Sequence, residues 1–144
     1  MIERNIEKTL LKAMEIFDCI TLLGPSQSGK TTVTKKIFLD YYYINLEYPE
    51  DRLIYTEDPK SLFVQYKKII IDEIQNAPFL LSYIQVYLDT KQYKIILTGS
   101  NQFDLRSNVS QSLAGRTAIF KLLPLCVSED ALNQRYPSNQ RINV

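Results

Sequence analysis

Apolar residues along the chain follow two spacings that alternate. Helical spacing marks residues 2–17, whereas continuous apolar runs such as 19–23 and 68–72 are typical of buried strands. The predicted strands cover residues 19–23, 43–47, 68–72, 93–98 and 117–123, and the predicted helices cover 2–17, 31–42, 58–67, 76–88 and 108–115. Strands that alternate with helices predict an α/β fold with an open parallel sheet and helices on both faces.

Several of the predicted boundaries depend on local capping signals. Asp58 followed by Pro59 suits a helix start, and Asn76 and Pro78 repeat the pattern for a helix through Leu88. The polar stretch 48–57 is interpreted as a connection. Ser128, Glu129 and Asp130 can open one more helix before a polar tail, PSNQRINV.

Composition narrows the chemistry. At 144 residues with 45% hydrophobic content, the chain is expected to form one domain, and its net charge of +1 does not indicate a nucleic-acid coat. The chain has no histidine, which excludes histidine triads and removes the usual nitrogen ligand of zinc. Catalysis must therefore use carboxylates, lysine, arginine or hydroxyls. The acidic start of the chain resembles neither a signal peptide nor a membrane span, so we expect a cytoplasmic protein without membrane contact.

The first predicted strand runs directly into the sequence GPSQSGKT, which matches the pattern GxxxxGK[ST]. In such a loop the backbone N–H groups surround phosphates, Lys30 neutralises them and Thr31 binds magnesium. Glycine-lysine-threonine strings also occur by chance in surface loops, but the strand before and the helix after this one favour phosphate binding. The residues predicted to contact the nucleotide here are Gly24, Pro25, Ser26, Gln27, Ser28, Gly29, Lys30, Thr31 and Thr32.

A second acidic motif, KKIIIDEIQ, has the form of a Walker B element. Asp72 is predicted to join Thr31 in holding magnesium, and Glu73 to orient and polarise a water for attack on the γ-phosphate. A strand that simply ends in acidic residues at the surface is the alternative. Because a phosphate loop precedes the motif, we expect an active site, and Glu73 favours hydrolysis over phosphotransfer.

One short motif would indicate GTP and not ATP, but its context argues against that. Asn101-Gln-Phe-Asp104 resembles the guanine-reading pattern NKxD, but Gln75 stands where GTPases place a glycine after the magnesium aspartate. Asn101 also lies beyond a Thr-Gly-Ser turn and not at the strand end. We therefore predict ATP.

Other polar residues are candidates for the same site. Thr98, Ser100 and Asn101 follow a strand at its carboxyl end, where open α/β sheets bind ligands, although a helix-capping turn explains any one of them nearly as well. Arg116 can supply positive charge to a phosphate in its own or a neighbouring subunit, or can simply stabilise a helix end. Arg106 is a weaker candidate for the same role.

The ordered set of motifs resembles a prokaryotic family of AAA-superfamily ATPases, the AAA domain family 14 type, over residues 1–130. The motifs are GPSQSGKTT, YINLE, IIIDEIQ, ILTGSNQFDL, SLAGR and AIFKLLPL. The resemblance implies a three-layer P-loop NTPase fold with a five-stranded sheet in the order 5-1-4-3-2. It also implies that the polar residues after Leu97 act as sensor 1, and that Arg116 is an arginine finger in a homo-oligomer.

The chain departs from this family in two ways. Ser26 replaces a basic residue common in the family's loop. Residues 131–144 are interpreted as the start of a lid or a polar tail, so we expect the helical lid and the nuclease-like C-terminal domain to be missing. The favoured function is magnesium-dependent ATP hydrolysis. The alternative is a nucleotide-binding module, or a fragment of a longer protein, with negligible hydrolysis alone; DNA binding is not indicated.

Overall fold

The computed structural model describes residues 2–25, 29–122 and 142–143. Five strands are parallel to one another in the order β2-β3-β4-β1-β5, as the family resemblance implied, and a sixth, β6, adds antiparallel to β5. The strands are β1 (Cys19–Leu23), β2 (Tyr42–Asn45), β3 (Lys68–Asp72), β4 (Lys94–Gly99), β5 (Thr117–Leu122) and β6 (Ile142–Asn143). The α-helices are α1 (Ile2–Ile16), α2 (Lys30–Ile37), α3 (Pro49–Glu57), α4 (Lys60–Gln65), α5 (Leu80–Leu88) and α6 (Phe103–Ser112).

Helices cover the sheet on both faces, which gives three layers. On one face α1 and α2 pack against Ile20, Ile70 and Ile96. On the other face α3 to α6 pack against the alternate positions of the same strands, such as Ile69 and Ile95. Because successive strand residues point to opposite faces, strands covered on both sides become apolar throughout. The continuous apolar runs in the sequence have this cause.

One helix was missed from the sequence. Residues 49–57, interpreted as a connection, form α3, with Pro49 at its first turn and Glu50 and Asp51 beside it. These are ordinary helix-start signals, but only Tyr55 of this helix is buried, so no apolar stripe revealed it. The helix predicted from Asp58 begins at Lys60 and ends at Gln65, and no side chain caps its start.

Other boundaries also shifted. A 3₁₀ turn, Ile74–Asn76, precedes α5, so the helix predicted from residue 76 begins only at Leu80. The helix predicted from residue 108 begins at Phe103, directly after the polar residues that follow β4. The predicted polar tail contains β6. The helix predicted near Ser128 lies outside the described residues. In the part of the chain that is described, no helix has the length and apolar character needed to cross a membrane.

Candidate functional site

Three chain connections meet at one edge of the sheet. Because β3, β4 and β1 are parallel neighbours, their carboxyl ends lie side by side. Leu23 is in register with Gly99, and the Gly24 amide donates to the Gly99 carbonyl at 3.0 Å. The phosphate loop after β1, the acidic pair after β3 and the polar turn after β4 are therefore brought together. This edge is where open α/β folds bind their ligands.

Lys30 contacts the first residues of the phosphate loop. Gly29 has φ 85°, a left-handed conformation that favours glycine, and α2 begins immediately after it. The Lys30 ammonium donates to the carbonyls of Gly24 at 2.8 Å and Pro25 at 3.0 Å. An ammonium has three donors, so one is left for a phosphate oxygen. Ser26, Gln27 and Ser28 lie outside the described residues, and Thr32 is exposed on the first turn of α2.

Lys30 is only 3% exposed, which is unusual for a lysine. Burial lowers the pKa of its ammonium, and the nearby carboxylates of Glu73 and Asp72 act in the opposite direction. A phosphate group beside Lys30 would supply further negative charge. The electrostatic environment of this lysine therefore fits an anionic ligand.

Asp72 lies at the end of β3, 2% exposed, and its carboxylate accepts hydrogen bonds from three hydroxyls. Thr31 Oγ1 donates to Asp72 Oδ2 at 2.6 Å, Tyr43 donates to the same oxygen at 2.5 Å, and Thr98 donates to Oδ1. The contact between Thr31 and Asp72 joins the phosphate loop to β3. A hydroxyl oxygen and a carboxylate oxygen in contact are hard ligands of the kind that Mg²⁺ prefers, so the residues present fit this ion.

Tyr43 was not predicted to be part of the site. It lies on β2, with its ring beneath the Lys35 ammonium at 4.0 Å from the ring centroid. Burial raises the pKa of its hydroxyl, as does the hydrogen bond to Asp72, so the hydroxyl stays protonated and acts as a donor. The sequence signal was the alternation within β2, which places Tyr43 and the buried Ile44 on opposite faces of the sheet. Alternation does not show which strand lies beside β2, so it could not predict the contact with Asp72.

Glu73 takes a left-handed conformation, with φ 62° and ψ 53°, immediately after β3. Its backbone N–H donates to Thr98 Oγ1 at 3.1 Å, so β4 holds the backbone in this turn. Its carboxylate accepts a hydrogen bond from Gln75 Nε2 at 2.7 Å. Both Glu73 and Gln75 are partly exposed, so a water molecule can reach the carboxylate.

The turn after β4 holds a polar group without a partner. The Ser100 hydroxyl is buried and makes no hydrogen bond within the described part of the chain. Buried polar groups are nearly always paired, so an unpaired one at a ligand-binding edge fits a contact with a bound ligand. Asn101 is exposed, and the structure shows no hydrogen bond that would distinguish its role.

Gly99 packs closely against the ends of two side chains. A Cβ atom at residue 99 would lie 2.6 Å from Leu105 Cδ2 and 2.8 Å from Gln75 Oε1. We expect Gly99→Ala to destabilise the fold by about 1–3 kcal/mol, because Leu105 and Gln75 must both move. Thermal unfolding should show a midpoint about 3–10 °C lower than wild type. Ser110→Ala, on the exposed side of α6, is the control; equal midpoints for the two variants would contradict the expected clash.

Arg116 lies at the end of the sheet opposite to the phosphate loop of its own chain. It precedes β5, whose first residue, Thr117, is in register with Cys19 at the start of β1. The length of β1, about 15 Å, therefore separates Arg116 from the phosphate loop of the same chain. Its guanidinium instead pairs with Asp89, Nε to Oδ1 at 2.8 Å and Nη2 to Oδ2 at 3.1 Å. This pairing raises the pKa of Arg116 and lowers that of Asp89.

Together, the strand order, the phosphate loop leading into α2 and the neighbouring acidic strand end define a nucleotide-binding domain of the ATPase type, with the P-loop NTPase fold. The chain belongs to the AAA domain family, whose sequence model matches residues 17–130.

Similar proteins are known in bacteria and among solved structures. Uncharacterized proteins of Mycobacterium bovis and Mycobacterium tuberculosis are each 28% identical to this chain over 130 residues, 88% of its length. The chain spans only 30% of the length of these relatives. A crystal structure of the DnaC helicase loader aligns with a TM-score of 0.48 and 19% identity, covering 70% of this chain and 76% of that one.

Proposed function

We propose that this domain binds ATP together with Mg²⁺ and hydrolyses it to ADP and phosphate. The observation that carries the proposal is the position of Glu73. Its carboxylate follows Asp72, which is bonded to the phosphate loop through Thr31, and is held by Gln75 at the edge where the loop lies. A carboxylate in this place is suited to accept a proton from an attacking water.

The roles of the surrounding residues follow from their chemistry. The backbone N–H groups of the phosphate loop that have no protein partner would bind the phosphates together with the Lys30 ammonium. Thr31 and Asp72 would hold the ion, which supplies positive charge to the phosphate oxygens. Ser100 would contact a phosphate oxygen through its unpaired hydroxyl, with Asn101 beside it.

Glu73 takes one proton of the water while the water oxygen bonds to the γ-phosphorus. The bond from that phosphorus to the β,γ-bridging oxygen breaks, and ADP leaves with its electron pair.

ATP is proposed over GTP for reasons specific to this chain. Gln75 takes the place where GTPases have a glycine, and its side chain is engaged with Glu73. Asn101, the first residue of the misleading NKxD match, comes two residues after the end of β4 and is exposed. Asn101 is therefore not arranged as a guanine site requires, and Gln75 departs from the GTPase pattern at the phosphate edge.

A second candidate function is nucleotide binding with negligible hydrolysis in the isolated domain. The position of Arg116 favours this candidate, because the arginine nominated to stabilise the transition state cannot reach its own site. We propose that it serves a neighbouring copy in a homo-oligomer, after exchanging Asp89 for a phosphate. The relatives are longer than this chain, and further domains of a longer protein can likewise supply groups that raise turnover.

Thermal unfolding and phosphate release test the proposed function together. With ATP and Mg²⁺ at about 100 times Kd, binding should stabilise the fold by about 2.7 kcal/mol and raise the unfolding midpoint by several degrees. GTP should give a smaller shift, and EDTA should abolish phosphate release. Release that rises with protein concentration faster than linearly would indicate completion of the site by a second copy. Binding without release at any concentration would leave the second candidate, and no stabilisation by ATP would exclude both.

A further inference from the structure

The Gln75 side chain joins two of the connections at the phosphate edge. Its amide nitrogen Nε2 donates to Glu73 Oε1 at 2.7 Å, and its amide oxygen Oε1 accepts from the Ser100 backbone N–H at 3.3 Å. Glu73 follows β3 and Ser100 follows β4. One side chain thus links the carboxylate proposed to activate water with the turn proposed to contact phosphate.

Only one orientation of the Gln75 amide satisfies both partners. A carboxylate oxygen accepts but does not donate, so it must face the amide nitrogen, and a backbone N–H must face the amide oxygen. The absence of a side chain at Gly99 leaves room for this amide, because a Cβ there would lie 2.8 Å from Gln75 Oε1. Gln75 therefore lies against bare backbone in a space that glycine provides.

This arrangement fixes Glu73 without blocking it. Gln75 is the hydrogen-bond partner of only Oε1, which leaves Oε2 to accept from water. Glutamate has three side-chain torsions, and a general base must be held within hydrogen-bond reach of the water it deprotonates. The left-handed backbone of Glu73, fixed through Thr98, and the amide of Gln75 together restrict where the carboxylate can lie.

We propose that Gln75 is a positioning residue that sets the Glu73 carboxylate relative to the turn containing Ser100. The proposal rests on the proposed ATP hydrolysis and adds a link within the same site. Ser100 carries both the N–H bound by Gln75 and the buried unpaired hydroxyl. A phosphate that contacts the Ser100 hydroxyl would therefore fix the position of Ser100. Since Ser100 is bonded to Gln75 and Gln75 to Glu73, the phosphate would also affect where the Glu73 carboxylate lies.

Two substitutions distinguish the bond from Gln75 to Glu73 from the bond between Gln75 and the Ser100 N–H. Gln75→Met keeps an unbranched side chain of similar length and removes both hydrogen bonds. Gln75→Glu keeps an acceptor for the Ser100 N–H and replaces the donor to Glu73 with a second carboxylate oxygen. Gln111→Met is the matched control, because Gln111 is exposed on α6 and its side chain donates to Ser107 Oγ of the same helix at 3.4 Å.

The first measurement is hydrogen exchange of the Ser100 amide in the nucleotide-free protein. We expect exchange to be at least about tenfold faster in Gln75→Met, because the amide loses its partner, and close to wild type in Gln75→Glu and Gln111→Met. Unchanged exchange in Gln75→Met would overturn the proposed link between Gln75 and the turn. This readout does not depend on hydrolysis.

The second measurement is a double-mutant cycle on ATP turnover and ATP affinity. We expect both Gln75→Met and Gln75→Glu to lower kcat by about tenfold or more. The Kd for ATP should stay within about threefold of wild type in Gln75→Met, which adds no charge near the phosphates. Adding Gln75→Met to Glu73→Gln should lower the residual rate no further, because Gln75 acts through Glu73.

The outcomes distinguish this inference from the proposed function. Three results would overturn the positioning role alone. They are normal turnover in Gln75→Met, a decrease in kcat that Gln75→Met causes equally in wild type and in Glu73→Gln, and a loss of ATP affinity as large as the loss of kcat. A wild-type protein that does not hydrolyse ATP, or a Glu73→Gln variant as active as wild type, would overturn the proposed function and the positioning role with it. The exchange of the Ser100 amide would still show whether the link exists.

Discussion

Replacing Glu73 with glutamine is expected to lower ATP turnover by about 10²–10⁴-fold, the range that a positioned general base contributes. The amide of glutamine cannot take a proton from water, but its oxygen can still accept the hydrogen bond that Gln75 donates to Glu73 Oε1. The site should therefore keep its shape. Phosphate release under saturating ATP and Mg²⁺ measures the loss, and equilibrium binding should give a Kd within about threefold of wild type.

Glu57→Gln is the matched control for this substitution. Glu57 is exposed and is the last residue of α3, and it has no hydrogen bond or ion pair to Lys30, Thr31, Asp72 or Glu73 among the described residues. It should hydrolyse ATP at the wild-type rate. If Glu73→Gln releases phosphate as fast as Glu57→Gln, another group activates the water and the proposed role of Glu73 is wrong.

The second large effect is expected for Lys30→Ala, which should weaken ATP binding by about 100-fold or more. The ammonium is held beside the loop carbonyls of Gly24 and Pro25, with one donor left for phosphate. Hydrogen bonds to charged groups contribute about 1.5–3 kcal/mol each, and the lysine also neutralises phosphate charge. The rise in unfolding midpoint that ATP causes in wild type should be absent from the variant at the same ATP concentration.

Lys36→Ala controls for loss of a lysine from the same helix. Lys36 lies near the end of α2 and pairs with Glu7 at 2.8 Å on the surface, so its removal should leave ATP binding unchanged. Circular dichroism of both variants shows whether the fold is retained. A folded Lys30→Ala protein that ATP still stabilises as much as wild type would mean that this loop does not bind the phosphates.

Local sequence was sufficient for the phosphate loop and for most of the strands. GPSQSGKT is contiguous, and the apolar strand before it and the helix after it are each visible within a few residues. Short apolar runs predicted β1, β3 and β4, because both faces of the sheet are covered there. The edge strand β2 and the strand β5 were also predicted, although they are only partly buried. Periodicity failed for α3, which buries only Tyr55 and so shows no apolar stripe.

Contacts across the sheet were not visible in the sequence. Tyr43 and Asp72 are 29 residues apart, and Thr98 and Asp72 are 26 apart. They meet because β2, β3 and β4 are neighbours, whereas spacing along the chain does not determine strand order. The order itself was implied only by the resemblance to a family.

The position of Arg116 also could not be predicted from spacing along the chain. The sequence places it between a helix and a strand, which is correct, but cannot show that the start of β5 lies at the edge remote from the phosphate loop. A residue just before a parallel strand and a residue just after one lie at opposite edges of the sheet. Because β1 and β5 are parallel neighbours, the length of a strand separates Arg116 from the phosphate loop of its own chain.

The sequence by itself therefore determined the class of domain and the residues nominated for phosphate, magnesium and water, because each of these motifs is local. Tertiary structure decided how they are joined. It placed three hydroxyls on Asp72, turned Glu73 into a left-handed conformation against Thr98 and set Gln75 between Glu73 and Ser100. Those contacts depend on which strands are neighbours and on backbone geometry at a single residue, and neither is encoded in a local pattern of apolar and polar positions.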